Sequence, residues 1–250
     1  MLGRSAYTEL GIVALLASAF VACSVDDREL HPRSSGGASG LAEGGGAPID
    51  AGFGGDGGAG GATALPLPVC DYGAGVAEGC DTLVDNPGFA GDESGWAPEE
   101  GSVTMTWKSE DAASHPDSGS LSVVNSLSGE ADGIAIRGAA QCLSTTPRQA
   151  YGIAADVFIP EAQGNGLDGG PWVASAGVSI IFYDGASCDG FTLSNVTSEV
   201  TDQPGAWAHL EGRGVSPQGA GSMSVRLVTI KNFREYTFEA RFDNVLVKAN

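Results

Sequence analysis

The stretch "AGVSIIFYD" (residues 176–184) places the large apolar residues Val178, Ile180 and Phe182 at every second position. Successive side chains of an extended strand point to opposite faces, so this spacing brings the three side chains to one face of a sheet. The stretch therefore predicts a β-strand with one face in a hydrophobic core. This prediction decides the fold class, because the same pattern recurs along the chain.

Six further segments show the same period of two, and clusters of proline and glycine separate them. They are "SVTMTW" (102–107), "SLSVVN" (120–125), "QAYGIAADVFI" (149–159), "AWAHLEGRGV" (206–215), "SMSVRLVTI" (222–230) and "YTFEARFDNVLVKA" (236–249). We find no convincing stretch with the helical period of 3.6 residues. Eight to ten short strands over about 170 residues predict an all-β domain, a β-sandwich of jelly-roll type.

The N-terminal segment has the features of an export signal. Residues 10–22, "LGIVALLASAFVA", form an apolar run of the length of a signal-peptide core, too short to span a bilayer comfortably. The run ends at Cys23, and "FVAC" resembles the bacterial lipobox, in which cleavage before the cysteine precedes its diacylation. The resemblance implies loss of residues 1–22 and a membrane anchor at Cys23.

Two residues near the cleavage site qualify this interpretation. Phe20 stands where the lipobox usually has leucine, so an ordinary secretory signal with an incidental cysteine is the alternative. Ser24, rather than aspartate, follows the cysteine, which by resemblance to known sorting rules favours the outer membrane. We therefore expect a protein of the cell envelope, anchored in the outer membrane, exposed at the surface or extracellular.

Residues 23–69 form the predicted tether, beginning with the lipidated cysteine. Half of the positions between Gly36 and Gly61 are glycine, and large apolar side chains are few. Such a segment cannot bury enough surface to offset its ordering entropy, so it predicts a disordered, flexible linker. The folded domain is expected over residues 70–250.

Charge limits the classes of partner. The formal net charge is −19 at pH 7, which repels phosphate backbones and argues against nucleic acid as a partner. The membrane is expected as a partner only through the lipid anchor, and we expect the protein to be a monomer.

Five cysteines leave one over from any full pairing. With Cys23 acylated, the other four form an even set, and export permits disulfides. We pair Cys142 with Cys188, and Cys70 with Cys80. Three pairings of four cysteines are possible, however, and free buried thiols are a further alternative. No CxxC pair is present to suggest a zinc or redox site.

Four segments, in order along the chain, carry a resemblance to a known family. They are "LVDNPGF…GW" (83–96), "HPDSGSLSV" (115–123), "QPGAWAHLEG" (203–212) and "FEARFDNVLV" (238–247). Together they resemble carbohydrate-binding modules of the CenC-like type, families 4, 9 and 22, over nearly all of residues 81–250. The resemblance implies a galactose-binding-like jelly roll that binds a poly- or oligosaccharide, although this fold also serves proteins that bind no sugar.

The same resemblance implies a structural calcium ion. Asp243 matches the closing acidic position of the family, and the loop around Asp117 matches a second contributor. Calcium takes six to eight hard oxygen ligands, including backbone carbonyls, so this mixture is chemically sensible. Ala90 stands where the family usually has glutamate, and Asp92 could substitute from a shifted position.

Sugar binding needs aromatic faces and neighbouring polar groups. The candidate ligand-binding residues are Trp107, Trp172, Tyr183 and Tyr236. Each could instead pack in the sandwich. Trp96 and Trp207 match positions that are usually core in the family, and we leave them out of the candidate site.

The sequence does not predict catalysis. There is no G-x-S-x-G elbow. A glycosidase needs two carboxylates across a cleft, whereas Glu99, Glu100, Glu110 and Asp111 are explained as a solvated acidic face. The expected function is non-catalytic, with no catalytic residues. The alternatives are a structural or adhesion module that contacts envelope proteins and, less favoured, a hydrolase.

Overall fold

The computed structural model of the protein describes residues 66–128, 133–161, 174–232 and 236–250, and ten β-strands lie within them. The strands are β1 (Ala97–Pro98), β2 (Val103–Lys108), β3 (Ser120–Asn125), β4 (Ile134–Ser144), β5 (Ala150–Phe158), β6 (Ser175–Tyr183), β7 (Thr192–Thr201), β8 (Trp207–Val215), β9 (Ser222–Asn232) and β10 (Phe238–Ala249). All seven predicted strand segments are confirmed. No α-helix occurs among the described residues.

The strands form two five-stranded antiparallel sheets that pack face to face. Sheet A has the order β1-β4-β9-β6-β7, and sheet B has the order β2-β3-β10-β5-β8. Their inner faces share one hydrophobic core, in which the largest fully buried apolar side chains include Phe89, Phe182, Phe238 and Phe242. The prediction of an all-β sandwich is confirmed.

Strands β4 and β7 were not predicted from the sequence, because neither shows a clear alternation of large apolar and polar residues. In β4 the positions that face the core are held largely by small or polar residues, such as Ala135, Ala139 and Gln141. Strand β7 lies at the edge of sheet A, and most of its side chains are exposed. Both strands therefore lack the alternation of large apolar and polar residues by which the other strands were predicted.

Residues 66–85, here called the N-terminal strap, begin on the outer face of sheet B and end in the core, where Val84 is buried. Leu67 is buried with Ala154 of β5 and Leu246 of β10, beside the Cys70–Cys80 disulfide. The Leu67 amide donates to Glu211 Oε2 at 3.1 Å, and the Leu83 amide donates to the Val247 carbonyl at 2.8 Å. The strap covers the half of this face nearest the C-terminal end of β10.

The predicted disulfide pairing is confirmed. Cys70–Cys80 closes a loop within the strap, and Cys142–Cys188 joins β4 to the β6–β7 connection across 46 residues of sequence. The second bridge fixes the hairpin that follows Tyr183, because Cys188 lies within it.

Several sequence predictions concern residues outside the described ranges. They are the signal peptide, Cys23, the tether up to residue 65, and Trp172. In the part of the chain that the structure covers, no helix has both the length and the apolar character needed to cross a membrane.

The two disulfides should differ in their contribution to stability. A cross-link that closes a longer loop removes more entropy from the unfolded chain, about 4 kcal/mol for Cys142–Cys188 and about 3 kcal/mol for Cys70–Cys80. We predict that Cys142→Ala with Cys188→Ala lowers the free energy of unfolding more than Cys70→Ala with Cys80→Ala. Denaturant titration of the two double variants measures this, and an equal or reversed order would contradict it.

Candidate functional site

The outer face of sheet A presents polar side chains at its centre and the aromatic ring of Tyr183 at the end of β6. Val178, Ile180 and Phe182 of β6 lie in the core, so the alternate residues Ser179 and Tyr183 point outward. The register pairs Ser179 with Arg226 on β9 and with Thr197 on β7, and it pairs Ile181 with Asn195. Tyr183 is half-buried, whereas Asn195 and Thr197 are exposed.

Arg226 and Glu99 form an ion pair across this face. The Arg226 Nη2 donates to Glu99 Oε2 at 2.7 Å, and its Nε donates to Glu99 Oε1. Both side chains are less than one-fifth exposed. The Glu99 amide also donates to the Gly138 carbonyl of β4 at 3.0 Å, which fixes the position of the carboxylate. A bidentate pair of this kind holds its guanidinium in one orientation.

The floor beside Arg226 is made of small side chains. Ala140 of β4 pairs with Arg226. Two residues further along β9, Val228 pairs with Gly138 of β4 on one side and with Gly177 of β6 on the other. The Ser179 hydroxyl has no hydrogen-bond partner among the described residues, although it is buried. A buried polar group without a hydrogen-bond partner is unusual in a native protein.

The structure does not bring the three described candidate aromatic residues together. Trp107 of β2 faces the core from sheet B, and its indole donates to the Phe89 carbonyl at 2.8 Å. Tyr236 also packs against the core, with Lys231 Nζ 4.9 Å from its ring centroid. Only Tyr183 of the described three lies on the outer face of sheet A, and Trp172 lies outside the described residues.

Asp243, the predicted metal ligand, is buried under the loop that precedes β3. Its Oδ2 accepts from the Ala112 amide at 2.9 Å, and its Oδ1 accepts from the Asn244 amide at 2.7 Å. Burial raises the pKa of the Asp243 carboxyl to about 7; the two amides oppose the rise, and the carboxylates of Asp111 and Asp156 add to it.

Asp117, the other predicted metal ligand, is exposed. Asp111 takes the buried position instead: it is 6% exposed, and it accepts from the His115 amide. Among the described residues, no group of three or more His, Cys, Asp or Glu is arranged to hold a metal ion. A cation at this place would therefore need backbone carbonyls in addition to Asp111 and Asp243.

Asp156 lies next to Asp243 and belongs to a chain of hydrogen bonds. Its Oδ2 accepts from Asn244 Nδ2 at 2.9 Å, and its Oδ1 lies 2.8 Å from His209 Nδ1. The hydrogen bond to Asp156 raises the pKa of the His209 ring, against the effect of burial. Asn244 Oδ1 in turn accepts from the Tyr72 amide at 3.0 Å, which ties the strap to this network.

Sequence reasoning did not find Glu99 or Asp111 as site residues. Both were assigned to a solvated acidic face, and this assignment is wrong: Glu99 is paired with Arg226, and Asp111 is buried. Neither position could be identified from the sequence, because Arg226 lies 127 positions from Glu99, and Asp243, whose pKa the Asp111 carboxylate raises, lies 132 positions from Asp111. Only the sheet register brings these distant residues together.

Comparison with known proteins identifies similar folds. No family model matches the chain, and no curated protein is detectably similar to it. Among solved structures, the xylan-binding CBM22-2 domain of Paenibacillus barcinonensis Xyn10C has a TM-score of 0.42 at 14% identity, covering 67% of this chain and 98% of that one. The C-terminal family 22 carbohydrate-binding module of Clostridium thermocellum Xyn10B has a TM-score of 0.43 at 17% identity, covering 66% and 96%.

An enzyme domain is also among the similar structures. The enzymatically active domain of tailspike protein 4 of bacteriophage CBA120 has a TM-score of 0.46 at 13% identity, covering 68% of this chain. The chain spans only 21% of that structure. All three likenesses lie below a TM-score of 0.5 and 25% identity, so none of them assigns a role to a residue of this chain.

The buried carboxyl of Asp243 predicts a pH-dependent stability. Its pKa of about 7 lies above the value of about 3.9 in an unfolded chain, so the folded state binds the proton more tightly between these values. In the presence of a chelator, the free energy of unfolding should fall as pH rises through this window, by at most on the order of 4 kcal/mol. The pKa of His209 is also raised in the folded protein, by its hydrogen bond to Asp156. The stabilisation that protonated His209 provides is therefore lost as pH rises through this raised pKa, which is a change in the same direction.

Denaturant titration between pH 4 and pH 8 measures this effect, and Asp243→Asn serves as the control because it removes the titrating group. The variant should show a much weaker dependence on pH. A wild-type stability that is constant or that increases over this range would contradict the assignment.

Proposed function

We propose that this protein is a non-catalytic carbohydrate-binding protein of the cell envelope, which binds a poly- or oligosaccharide through the outer face of sheet A. One observation carries the proposal: Tyr183, the Arg226–Glu99 pair and the unpartnered Ser179 hydroxyl lie on a single face with a floor of small side chains. A sugar ring has apolar C–H faces and a rim of hydroxyls, and this face offers a partner for each.

Each group has a distinct part in the proposed binding. The Tyr183 ring provides the surface on which a pyranose stacks. Arg226 and Glu99 supply charged donors and acceptors that are already oriented by each other, which lowers the entropy lost on binding. Asn195 and Thr197, exposed on β7, extend the polar contacts along the sheet.

Two histidine–carboxylate pairs bear on the proposed absence of catalysis. His209 pairs with Asp156, and His115 Nε2 pairs with Asp71 Oδ2 at 2.8 Å. No described hydroxyl or thiol is hydrogen-bonded to the free ring nitrogen of His209. The His209 pair therefore does not form the relay from nucleophile to base to carboxylate that nucleophilic hydrolysis uses.

We further propose that a calcium ion binds beside Asp243 and Asp111. The buried Asp111 carboxylate adds to the cost of ionising Asp243, and a hard divalent cation with oxygen ligands would offset that cost. Their oxygens accept backbone N–H groups but retain lone pairs for a metal. Calcium added to the chelated protein should then abolish the loss of stability above pH 6, and no effect of calcium at pH 8 would contradict this part of the proposal.

The anchor is the part of the proposal that rests on sequence alone. The apolar run that ends at Cys23, and the glycine-rich segment after it, support a lipoprotein whose domain is displayed away from a membrane. We predict that radioactive palmitate labels the wild-type protein and does not label Cys23→Ala. Equal labelling of both would leave an ordinary secretory signal as the explanation.

A second candidate function is an adhesion module that contacts envelope proteins. The observation in its favour is the exposed apolar surface at the edge of sheet A, where Phe191, just before β7, is 79% exposed and Val200 of β7 is 48% exposed. An exposed edge with apolar side chains is a template for contact with another protein. Failure of every oligosaccharide to bind would favour this candidate.

Binding to soluble oligosaccharides tests the main proposal. We predict that the full-length protein binds at least one of xylohexaose, cellohexaose and laminarihexaose, measured by isothermal titration calorimetry. Tyr183→Ala should weaken binding about tenfold, because the stacking surface is lost. Tyr183→Phe keeps the ring and is the matched control, so an equal loss in both variants would contradict stacking at this residue.

A further inference from the structure

The outer face of sheet B carries a row of side chains that crosses all five strands, beyond the part that the N-terminal strap covers. The register pairs Trp207 with Phe158, Phe158 with Arg241, Arg241 with Ser122, and Ser122 with Thr106. The alternate residues on these strands, such as Val157 and Phe242, lie in the core. The row therefore faces away from the core, on the side of the sandwich opposite to Tyr183.

The aromatic part of this row forms a connected surface, here called the Trp207 surface (Trp207, Phe158 and Arg241). The ring centroids of Phe158 and Trp207 are 5.4 Å apart with a tilt of 41°. The guanidinium carbon of Arg241 lies 5.6 Å from the Phe158 centroid. All three side chains are partly exposed rather than buried, although Trp207 is large and apolar enough to be buried in a core.

Polar groups border the Trp207 surface on one side. Arg241 Nε donates to Glu239 Oε1 at 3.3 Å, and its Nη1 lies 3.7 Å from Glu110 Oε2. Ser122 Oγ donates to the same Glu239 oxygen at 2.9 Å. The Nη groups of Arg241 make no closer contact with any described residue, so they retain donors for a hydroxyl of a ligand.

The indole nitrogen distinguishes Trp207 from the tryptophans that serve the core. Trp107 faces the core and donates to the Phe89 carbonyl, whereas no described residue accepts a hydrogen bond from Trp207. The Trp207 indole nitrogen is also not one of the fully buried polar atoms without a hydrogen-bond partner. Its N–H is thus available at the surface, next to the donors of Arg241.

We propose that the Trp207 surface is a second carbohydrate-binding site, which takes a sugar ring against Trp207 and Phe158 with its hydroxyls toward Arg241 and Glu110. Aromatic faces beside charged, planar hydrogen-bonding groups match the alternation of C–H faces and hydroxyls on a pyranose. Because the two sites lie on opposite faces of the sandwich, one domain would contact two polysaccharide chains at once. The inference extends the proposed function and does not depend on Tyr183.

Fluorine NMR of the full-length protein labelled with 5-fluorotryptophan tests this site directly, because the chain has only four tryptophans. Trp207→Phe assigns the Trp207 resonance, and xylohexaose, cellohexaose and laminarihexaose are titrated to about 10 mM. We expect at least one of them to shift the Trp207 resonance in a saturable manner. Tyr183→Ala should leave that apparent Kd within about twofold, since the sites are separate.

Arg241→Gln and Val215→Ala supply the matched pair of variants. Arg241→Gln should weaken binding at Trp207 about tenfold by removing charged donors. Val215 is 60% exposed on the same strand as Trp207 but at its far end, so Val215→Ala should have no effect. Circular dichroism confirms that each variant is folded before its titration is interpreted.

The possible results separate this inference from the proposed function. A Trp207 resonance that no probe moves, with binding still lost in Tyr183→Ala, overturns the second site and leaves the first. A Trp207 shift that disappears in Tyr183→Ala shows a single site and also overturns the inference. In the third result, sugar shifts the Trp207 resonance in a saturable manner in both wild type and Tyr183→Ala, and calorimetry finds the same affinity for both proteins. This result supports the Trp207 site and overturns the site at Tyr183.

Discussion

The Asp243–Asn244 pair in β10 is the constraint on which the arrangement of the domain depends. The register between β10 and β5 shifts after Asp243, and Asn244 has a positive φ of 51°, a conformation that asparagine tolerates better than most residues. This local irregularity directs the Asn244 amide toward both Tyr72 and Asp156. It also places the Asp243 carboxylate under the Ala112 amide. Two adjacent residues thus join the strap, the loop before β3 and the central strands of sheet B.

This junction divides the surface of the sandwich into parts with different chemistry. The strap covers the half of the outer face of sheet B nearest the C-terminal end of β10, and the loop before β3 lies over the buried Asp243 carboxylate. At one end of that face, the side chains of Trp207 and Phe158 are partly exposed. The outer face of sheet A has no such cover from the strap, and the Arg226–Glu99 pair occupies its centre. The two proposed binding surfaces therefore lie on parts of the sandwich that these strap contacts do not involve.

The fold was predicted well from the sequence, because large apolar residues at alternate positions of β5, β6, β9 and β10 indicate which face of each strand is buried. The cysteine pairing was also correct, since the four cysteines lie in segments that the sandwich brings together. The site was predicted less well. Aromatic residues were chosen by composition and loop position, but whether Trp107 faces the core depends on strand register, which a short alternating segment does not fix. Arg226 and Glu99 were missed because only the order of the strands makes them neighbours.

The central claim is that the outer face of sheet A binds carbohydrate. The most direct measurement is a map of amide chemical-shift changes on the isotope-labelled protein as xylohexaose, cellohexaose or laminarihexaose is added. Apart from any changes at the Trp207 surface, we predict a group of changes that centre on Ser179, Tyr183 and Arg226 and extend to Asn195 of β7. Chemical-shift changes confined to residues around Trp107 and Tyr236, which pack against the core, would contradict the claim. The absence of any change with all three sugars would also contradict it.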